Sequence, residues 1–278
     1  MNIVWIITQL TIRETQRRRI LWVGLLMGLG FLLLFGLGFH YIYLDISETN
    51  LRQSETDIII GLLLTAGLYA VNFLAAIMVV LISVTTISGE IDTHTIETIL
   101  TKPIYRWQVV LGKWLGYAIM SSLYVILLAG GLMLIVYLRA GLALHNIPFG
   151  LGLMILQVLI ILSVTIAGGT RLSTLANGVM AFMLFGIAFL GGMVEQIGSL
   201  LTNETAVNIG IVSSLIIPTD IMWKYALALF QPQFLNTPFL AGPFAVTSQP
   251  SRAMLIYAML YPIAFLAFAV YSFTRRDL

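Results

Sequence analysis

Long runs without a charged side chain constrain this fold more than any other feature of the sequence. Residues 20–44 and 58–88 contain no Asp, Glu, Lys or Arg over 25 and 31 consecutive positions, and about 20 apolar residues span the hydrocarbon core of a bilayer as a helix. Over the whole chain 59% of the residues are hydrophobic and only 9% are charged, whereas about a quarter are charged in a typical soluble domain. The sequence therefore predicts an all-α, polytopic membrane protein that forms one transmembrane domain over residues 1–278.

Six runs of this kind predict six transmembrane helices. The expected spans cover residues 20–44, 58–88, 107–138, 147–169, 173–197 and 253–274. The intervening segment 198–252 is apolar but does not form another span, because 206–217 is too short and 225–251 contains four prolines, which remove backbone donors and break a helix. Hydrocarbon offers no replacement partner for those backbone groups. We expect this external segment to form short re-entrant or interfacial helices packed on the other spans.

The basic residues predict the orientation, because Lys and Arg favour the cytoplasmic side of a membrane. With both termini inside, ten basic residues face the cytoplasm and four face the outside. The cytoplasmic set is Arg13, Arg17, Arg18, Arg19, Lys102, Arg106, Lys113, Arg171, Arg275 and Arg276, and the external set is Arg52, Arg139, Lys224 and Arg252. We therefore expect a multi-pass protein of the inner or plasma membrane with both termini in the cytoplasm.

Several classes of function are disfavoured. The net charge is only +2, from 14 basic and 12 acidic residues, so there is no broad basic face for nucleic acid. The chain contains no cysteine, which excludes disulfides, thiol catalysis and thiolate metal sites. The one Gly-Lys pair, Gly112-Lys113, is followed by Trp114 and does not form a phosphate-binding loop. We expect no catalytic residue, no metal site and no cofactor bound by this chain.

The predicted spans also contain few ionisable groups. Glu195, near the external end of the fifth span, is the one candidate. Ion-coupled carriers need intramembrane acidic or basic residues to bind ions or relay protons. Transport by this chain would therefore need energy from another protein, and an uncharged path suits an amphipathic or lipidic cargo better than an ion. The residues that line the path stay unknown at this stage.

The N-terminal residues 1–19 have an amphipathic pattern. Ile3, Ile6, Ile7 and Leu10 recur at helical spacing, and a basic cluster follows them. A helix of this kind lies in the interface of a membrane. It acts either as a lever on the cytoplasmic face or simply as an anchor for the first span, and the pattern leaves both open.

Two glycine pairs have a spacing of four residues, Gly24 with Gly28 and Gly112 with Gly116. This spacing lets two helices approach closely. The pairs mark either a contact between two copies of the chain or a chance spacing among 24 glycines. Lys113, beside the second pair, is predicted to be an interfacial anchor whose ammonium reaches the cytoplasmic surface.

The loop between the second and third spans has the densest charge in the chain. Ile96, Ile99 and Leu100 form one apolar edge of a short helix, and acidic and basic residues supply its polar faces. Pro103 should end that helix, because proline disfavours helical backbone in the residue before it. The composition of the loop fits an amphipathic helix and an ordinary solvated loop equally well.

The same loop resembles the signature loop of ABC transporter permeases of the ABC-2 type, particularly their NosY-like branch. In that pattern a Gly-Glu pair ends the second span, a Thr opens a short helix, and a Pro-x-x-Arg element leads to a Gly-Lys pair. The matching positions here are Gly89 and Glu90, Thr95, Pro103 and Arg106, and Gly112 and Lys113. The run Thr93-His94-Thr95 departs from the pattern, which more often has a basic residue and a Gly before the Thr.

The resemblance implies that residues 89–106 form a cytoplasmic coupling helix, which binds a separate ATPase subunit. It places the following residues at or near that interface: Glu90, Asp92, Thr95, Ile96, Glu97, Ile99, Leu100 and Arg106. It further implies two copies of the ATPase subunit, which hold ATP and Mg²⁺, and a second copy of the permease in the lipid bilayer, expected as a homodimer.

The resulting hypothesis is the permease subunit of an ATP-driven exporter. A stand-alone secondary carrier or channel is the alternative, and it would be expected to contain inverted repeats or discontinuous spans. No convincing internal repeat is present. A membrane-embedded enzyme is disfavoured by the missing catalytic motifs.

Overall fold

The computed structural model describes residues 3–49, 52–89, 105–142, 144, 146–230 and 251–275. All regular secondary structure in these ranges is helical. Nine α-helices lie in these ranges. They are α1 (Ile3–Arg17), α2 (Arg19–Glu48), α3 (Gln53–Ser83), α4 (Arg106–Ala140), α5 (Ile147–Gly169), α6 (Thr174–Leu200), α7 (Glu204–Ile216), α8 (Thr219–Phe230) and α9 (Arg252–Thr274). The predicted all-α fold is confirmed.

Six of these helices, α2, α3, α4, α5, α6 and α9, are long and apolar enough to cross a membrane. The predicted six-span architecture is thus confirmed, and the multi-pass character of the chain with it. Helix α5 is the most enclosed of the six: within an apolar stretch of 18 residues, 67% of its residues are buried. The corresponding fractions are 11% for α2 and 17% for α9. The core therefore lies around α5, and α2 and α9 present most of their surface to the surroundings of the bundle.

Helices α7 and α8 form a bent pair between the fifth and sixth spans. Their axes turn by 108° at Pro218, which follows the last turn of α7. The carbonyls left unpaired at this bend are bound by α9, because Tyr257 Oη donates to Leu215 O at 2.7 Å and Tyr261 Oη donates to Ile216 O at 2.6 Å. A bend of this kind occurs in broken spans and in re-entrant loops, and the described residues contain a seventh candidate span if the pair is counted as one broken helix.

A hydrogen bond between two neutral side chains joins two central spans. Gln157 Nε2 of α5 donates to Asn72 Oδ1 of α3 at 2.6 Å, and both side chains are buried. Each amide would be left without a partner in hydrocarbon if the other were absent. The bond therefore favours one register of α3 against α5.

Helix α1 packs along the first three turns of α4 through a face of threonines. Thr8, Thr11 and Thr15 are buried, and Thr8 Oγ1 donates to Gly112 O at 3.1 Å as well as to Val4 O at 2.9 Å. The predicted apolar edge is turned away from this contact, since 58% of Leu10 is exposed. Of that edge, Ile7 is the residue buried against α4.

The two glycine pairs serve contacts within one chain. A Cβ added to Gly112 would lie 2.7 Å from Ile7 Cβ, and one added to Gly116 would lie 2.9 Å from Thr11 Cβ. A Cβ at Gly28 of α2 would likewise meet the α4 side chains of Tyr124 and Leu128. The interpretation of these pairs as contacts between two copies is wrong, because helices of the same chain already occupy the space.

The contact of α1 with α4 predicts a specific effect of one methyl group. Gly112→Ala should lower the free energy of unfolding by about 1–3 kcal/mol, because the added carbon overpacks against Ile7. Gly130→Ala in the same helix is the matched control, since no atom lies within 4 Å of its added Cβ. It should be neutral or stabilising by up to about 1 kcal/mol through helix propensity. Thermal unfolding of the purified chain in detergent measures both, and equal midpoints for the two variants would contradict the contact.

Candidate functional site

The predicted coupling residues divide between described and undescribed parts of the chain. Seven of them lie outside the described residues, so their predicted role stays a prediction; they are Glu90, Asp92, Thr95, Ile96, Glu97, Ile99 and Leu100. Arg106 is the eighth, and it is described. The structure does describe the backbone on both sides of this loop, together with the side chains that bind the two flanking segments.

The chain that enters the loop, residues 84–89, is bound by side chains of α4 and α6. Lys113 Nζ of α4 donates to Thr86 O at 3.1 Å, and Asn177 Nδ2 of α6 donates to Val84 O at 3.4 Å. The Ser88 and Thr174 hydroxyls lie 2.9 Å apart. These bonds satisfy carbonyls that the end of α3 leaves without helical partners.

The interpretation of Lys113 as an interfacial anchor is wrong. Only 6% of the residue is exposed, and its ammonium lies inside the bundle on the Thr86 carbonyl. Desolvation of this ammonium is offset by a charge-assisted hydrogen bond, which is stronger than a neutral one. Lys113 therefore fixes the exit of α3 against the first turns of α4.

The junction of α1 and α2 contacts the same segment. The guanidinium of Arg18 donates to the hydroxyl of Thr85 and also pairs with Glu14, one turn earlier in α1. Arg18 was expected to be one of several positive charges that anchor the first span. The structure gives it a second role, since it joins the first two helices to the exit of α3.

The chain that leaves the loop is bound to the end of α9. Arg106 Nη1 donates to Phe273 O at 3.1 Å and to Thr274 O at 3.3 Å, and its guanidinium lies over the Phe273 ring. The last carbonyls of a helix favour a nearby cation. Arg106 thus connects the start of α4 to the C-terminal end of the last span.

The turn between α5 and α6 completes this end of the bundle. Arg171 Nε and Thr170 Oγ1 each donate to the hydroxyl of Ser272 at 3.0 Å. We call the part of the bundle that holds Arg18, Arg106 and Arg171 the basic end. The described residues there supply hydrogen bonds between helix ends, and the arrangement is suited to transmitting displacement between helices.

A second polar site lies on the bent pair of α7 and α8, near the other end of α6. Lys224 Nζ of α8 is 2.8 Å from Glu195 Oε2 of α6 and 2.8 Å from Asp220 Oδ2, one turn away in α8. The side chains of Lys224 and Asp220 are each only 5% exposed. We call these three residues the ion triad.

Close backbone approach makes room for the ion triad. A Cβ at Gly192 of α6 would lie 2.0 Å from Asp220 Oδ2, so the carboxylate occupies the position where any other residue would have its side chain. At the preceding residue, a Cβ on Gly191 would overlap Ser213 of α7. The small residues of α6 therefore allow the bent pair to pack against this span.

The sequence prediction missed most of the ion triad. Glu195 was expected to be the one intramembrane ionisable group, Lys224 was counted among external charges, and Asp220 was not singled out. The structure instead buries Lys224 among its two partners. The spacing of four residues between Asp220 and Lys224 is the signal that was available, because residues at this spacing face each other on a helix.

The ion triad predicts a large effect of removing its cation. Lys224→Met should destabilise the protein by about 3–5 kcal/mol, because two carboxylates stay buried without a counterion. The triple variant Lys224→Met, Glu195→Gln, Asp220→Asn should recover most of this loss. Arg139→Met, which removes an exposed basic residue, should change stability by less than about 0.5 kcal/mol. Thermal unfolding in detergent tests the order, and a Lys224→Met protein as stable as Arg139→Met would contradict the buried pairing.

A comparison with protein families finds one match of nearly full length. Residues 5–278 match the model described as ABC-2 family transporter protein. No curated protein is similar enough to register as a match. The family match covers both the basic end and the ion triad.

Proposed function

The chain belongs to the ABC-2 family of transporter proteins, and we propose that it is the membrane subunit of an exporter that is driven by a separate ATPase subunit. Membership makes it a permease subunit of an ABC transporter and not itself an ATPase. The family generally works with an ATPase subunit. Export as the direction and the identity of the docking residues are the parts that we propose.

The observation that carries the proposal is the anchoring of the loop that contains residues 90–104. Its entrance is bound through Thr86 to α4, and its exit is bound through Arg106 to α9. A force applied to the loop would therefore reach two spans through buried or half-buried hydrogen bonds. An ordinary solvated loop needs no such attachment at both ends.

Docking itself is assigned to the apolar edge of the loop. Ile96, Ile99 and Leu100 would supply the buried centre of the interface, since interface energy is concentrated in a few buried residues. Glu90, Asp92 and the other charged positions would lie around them, where an exposed ion pair contributes about 0 to 1 kcal/mol. The ATPase subunit would hold ATP and Mg²⁺.

A second copy of the permease completes the proposed complex. Helix α2 has a continuous apolar face that is largely exposed and includes Leu26, Leu33, Leu34 and Leu37. Exposure of this kind fits lipid and fits a second copy. We propose a homodimer with two ATPase subunits, in which the transport path lies between the two permease copies.

The coupling assignment predicts a graded effect of loop substitutions. Ile96→Asp should weaken assembly with the ATPase subunit by about tenfold, or about 1.4 kcal/mol, because a charge enters the apolar centre. Glu90→Ala should weaken it less, within the about 0 to 1 kcal/mol of an exposed pair. Copurification and the ATP hydrolysis rate of the complex measure both effects.

The matched control for Ile96→Asp is Leu201→Asp, which places the same charge on an exposed residue after α6, at the end of the bundle away from the loop. It should assemble and hydrolyse ATP as the unchanged chain does. If Ile96→Asp and Glu90→Ala both leave assembly and turnover unchanged, the coupling assignment is wrong.

The second candidate is a stand-alone secondary carrier, and two observations favour it. The ion triad is a buried ionisable cluster that includes Glu195 of the fifth span, and ionisable residues within spans are usually kept for function. The bent pair of α7 and α8 resembles the discontinuous helices of carriers. This candidate expects the chain alone in vesicles to move substrate along an ion gradient without the ATPase, whereas the proposed exporter expects transport only with ATP and the partner.

A further inference from the structure

The first turns of α2 lie between two apolar cavities. The larger cavity, of about 620 Å³, is lined on its α2 side by Leu21, Trp22 and Leu25. The smaller, of about 210 Å³, is lined on its α2 side by Arg19, Ile20 and Val23, among others. At about 100° per residue in a helix, the two sets point in roughly opposite directions. The basic end of α2 is therefore flanked by open apolar space on two sides.

A narrow seam holds this part of α2 to the bundle. Tyr124 Oη donates to Gly24 O at 3.0 Å, and Met78 of α3 packs against the bare Cα of the same glycine. Tyr124 and Met78 line both cavities. Among the described residues no further side chain fills the space beside the seam, and the volume of the larger cavity lies within the range of about 300–1,000 Å³ of ligand pockets.

Polar groups occur on the larger cavity where α1 meets α2. Gln16 of α1 and Ser121 of α4 both line it. Ser121 is only 3% exposed, and its hydroxyl has no hydrogen-bond partner within the described part of the chain. A buried hydroxyl is normally bonded, so this group is suited to an acceptor that a ligand would bring.

Positive charge lies beside the junction of α1 and α2. Arg17 and Arg19 are exposed on either side of the junction, and Arg19 also lines the smaller cavity. Arg18, the residue that precedes α2, makes no side-chain cap bond to the helix. The unpaired N–H groups in the first turn of a helix and its dipole attract an anion. A molecule with a negative head and an apolar tail would match the charges, the hydroxyl and the cavity together.

We infer that one anionic phospholipid, taken from the leaflet at the basic end, binds at the junction of α1 and α2. Its phosphate lies over the first turn of α2 beside Arg17 and Arg19, its ester oxygens accept from Ser121, and an acyl chain fills the larger cavity. The site belongs to a single chain and does not rest on the proposed ATPase coupling. Because Arg18 also binds Thr85, the lipid would lie against the helices that hold the coupling loop.

The test titrates the purified full chain in detergent with dioleoylphosphatidylglycerol or dioleoylphosphatidylcholine and counts bound lipid by native mass spectrometry. Phosphatidylglycerol should bind more tightly than phosphatidylcholine. Arg19→Gln should weaken phosphatidylglycerol binding about fivefold, the effect of one basic residue near an anionic lipid surface, and should leave phosphatidylcholine unchanged. Arg252→Gln, which removes a charge at the other end of the bundle, should change neither.

The proposed position of the acyl chain is tested by substitutions that fill the larger cavity. Ser121→Trp should abolish tight binding of phosphatidylglycerol, and Leu123→Trp, at the exposed mouth of the cavity, should weaken it in a protein that still folds. Leu34→Trp, on the exposed face of α2, is the control that should bind normally. Equal binding of the two lipids, an Arg252→Gln effect as large as that of Arg19→Gln, or normal binding by a folded Leu123→Trp protein would overturn the inference.

Discussion

Hydrocarbon contains no water, and so each polar group within the spans must find its partner inside the protein. An unpaired group there costs several kcal/mol, which is comparable to the whole stability of many domains. Among the described residues, polar contacts that join helices include the Gln157 bond to Asn72, the ion triad and the basic end. Each of these contacts joins different helices, and apolar packing fills the space between them.

The spans were predictable because their signal is local. A charge-free run of 25 residues identifies a transmembrane helix without reference to any other part of the chain, and the prolines after residue 230 argue against a further span in the same way. The bent pair of α7 and α8 was predictable as short helices for the same reason. Its bend at Pro218 and its burial against α6 follow from residues that the local pattern does not relate to each other.

The partners of individual side chains could not be predicted from such local signals. Gly112 and Gly116 have the spacing of a close helix contact, but only the tertiary arrangement decides that α1, and not a second copy, occupies the groove. Lys113 has the position of an interfacial anchor, yet it is buried because α3 ends beside it and leaves the Thr86 carbonyl to be bound. Asp220 and Lys224 are recognisable as a pair, but their burial depends on Gly192, which lies almost 30 residues earlier in the chain and has no side chain in the way.

Two kinds of contact hold the helices of the bundle together, and they differ in how they respond to a displacement. Glycine seams hold α1 and α2 to α4. Each seam combines close packing, which has little directional preference, with one hydrogen bond to a carbonyl, from Thr8 to Gly112 and from Tyr124 to Gly24. Hydrogen bonds to carbonyls hold the helix ends at the basic end, and they lose energy steeply when their geometry changes. A displacement of the start of α4 would therefore be passed to α9 through Arg106 and to the exit of α3 through Lys113, while α2 could shift along its seam into the flanking cavities. An occupied cavity would oppose that shift, which makes the packing beside α2 a determinant of how far motion at the loop travels into the membrane.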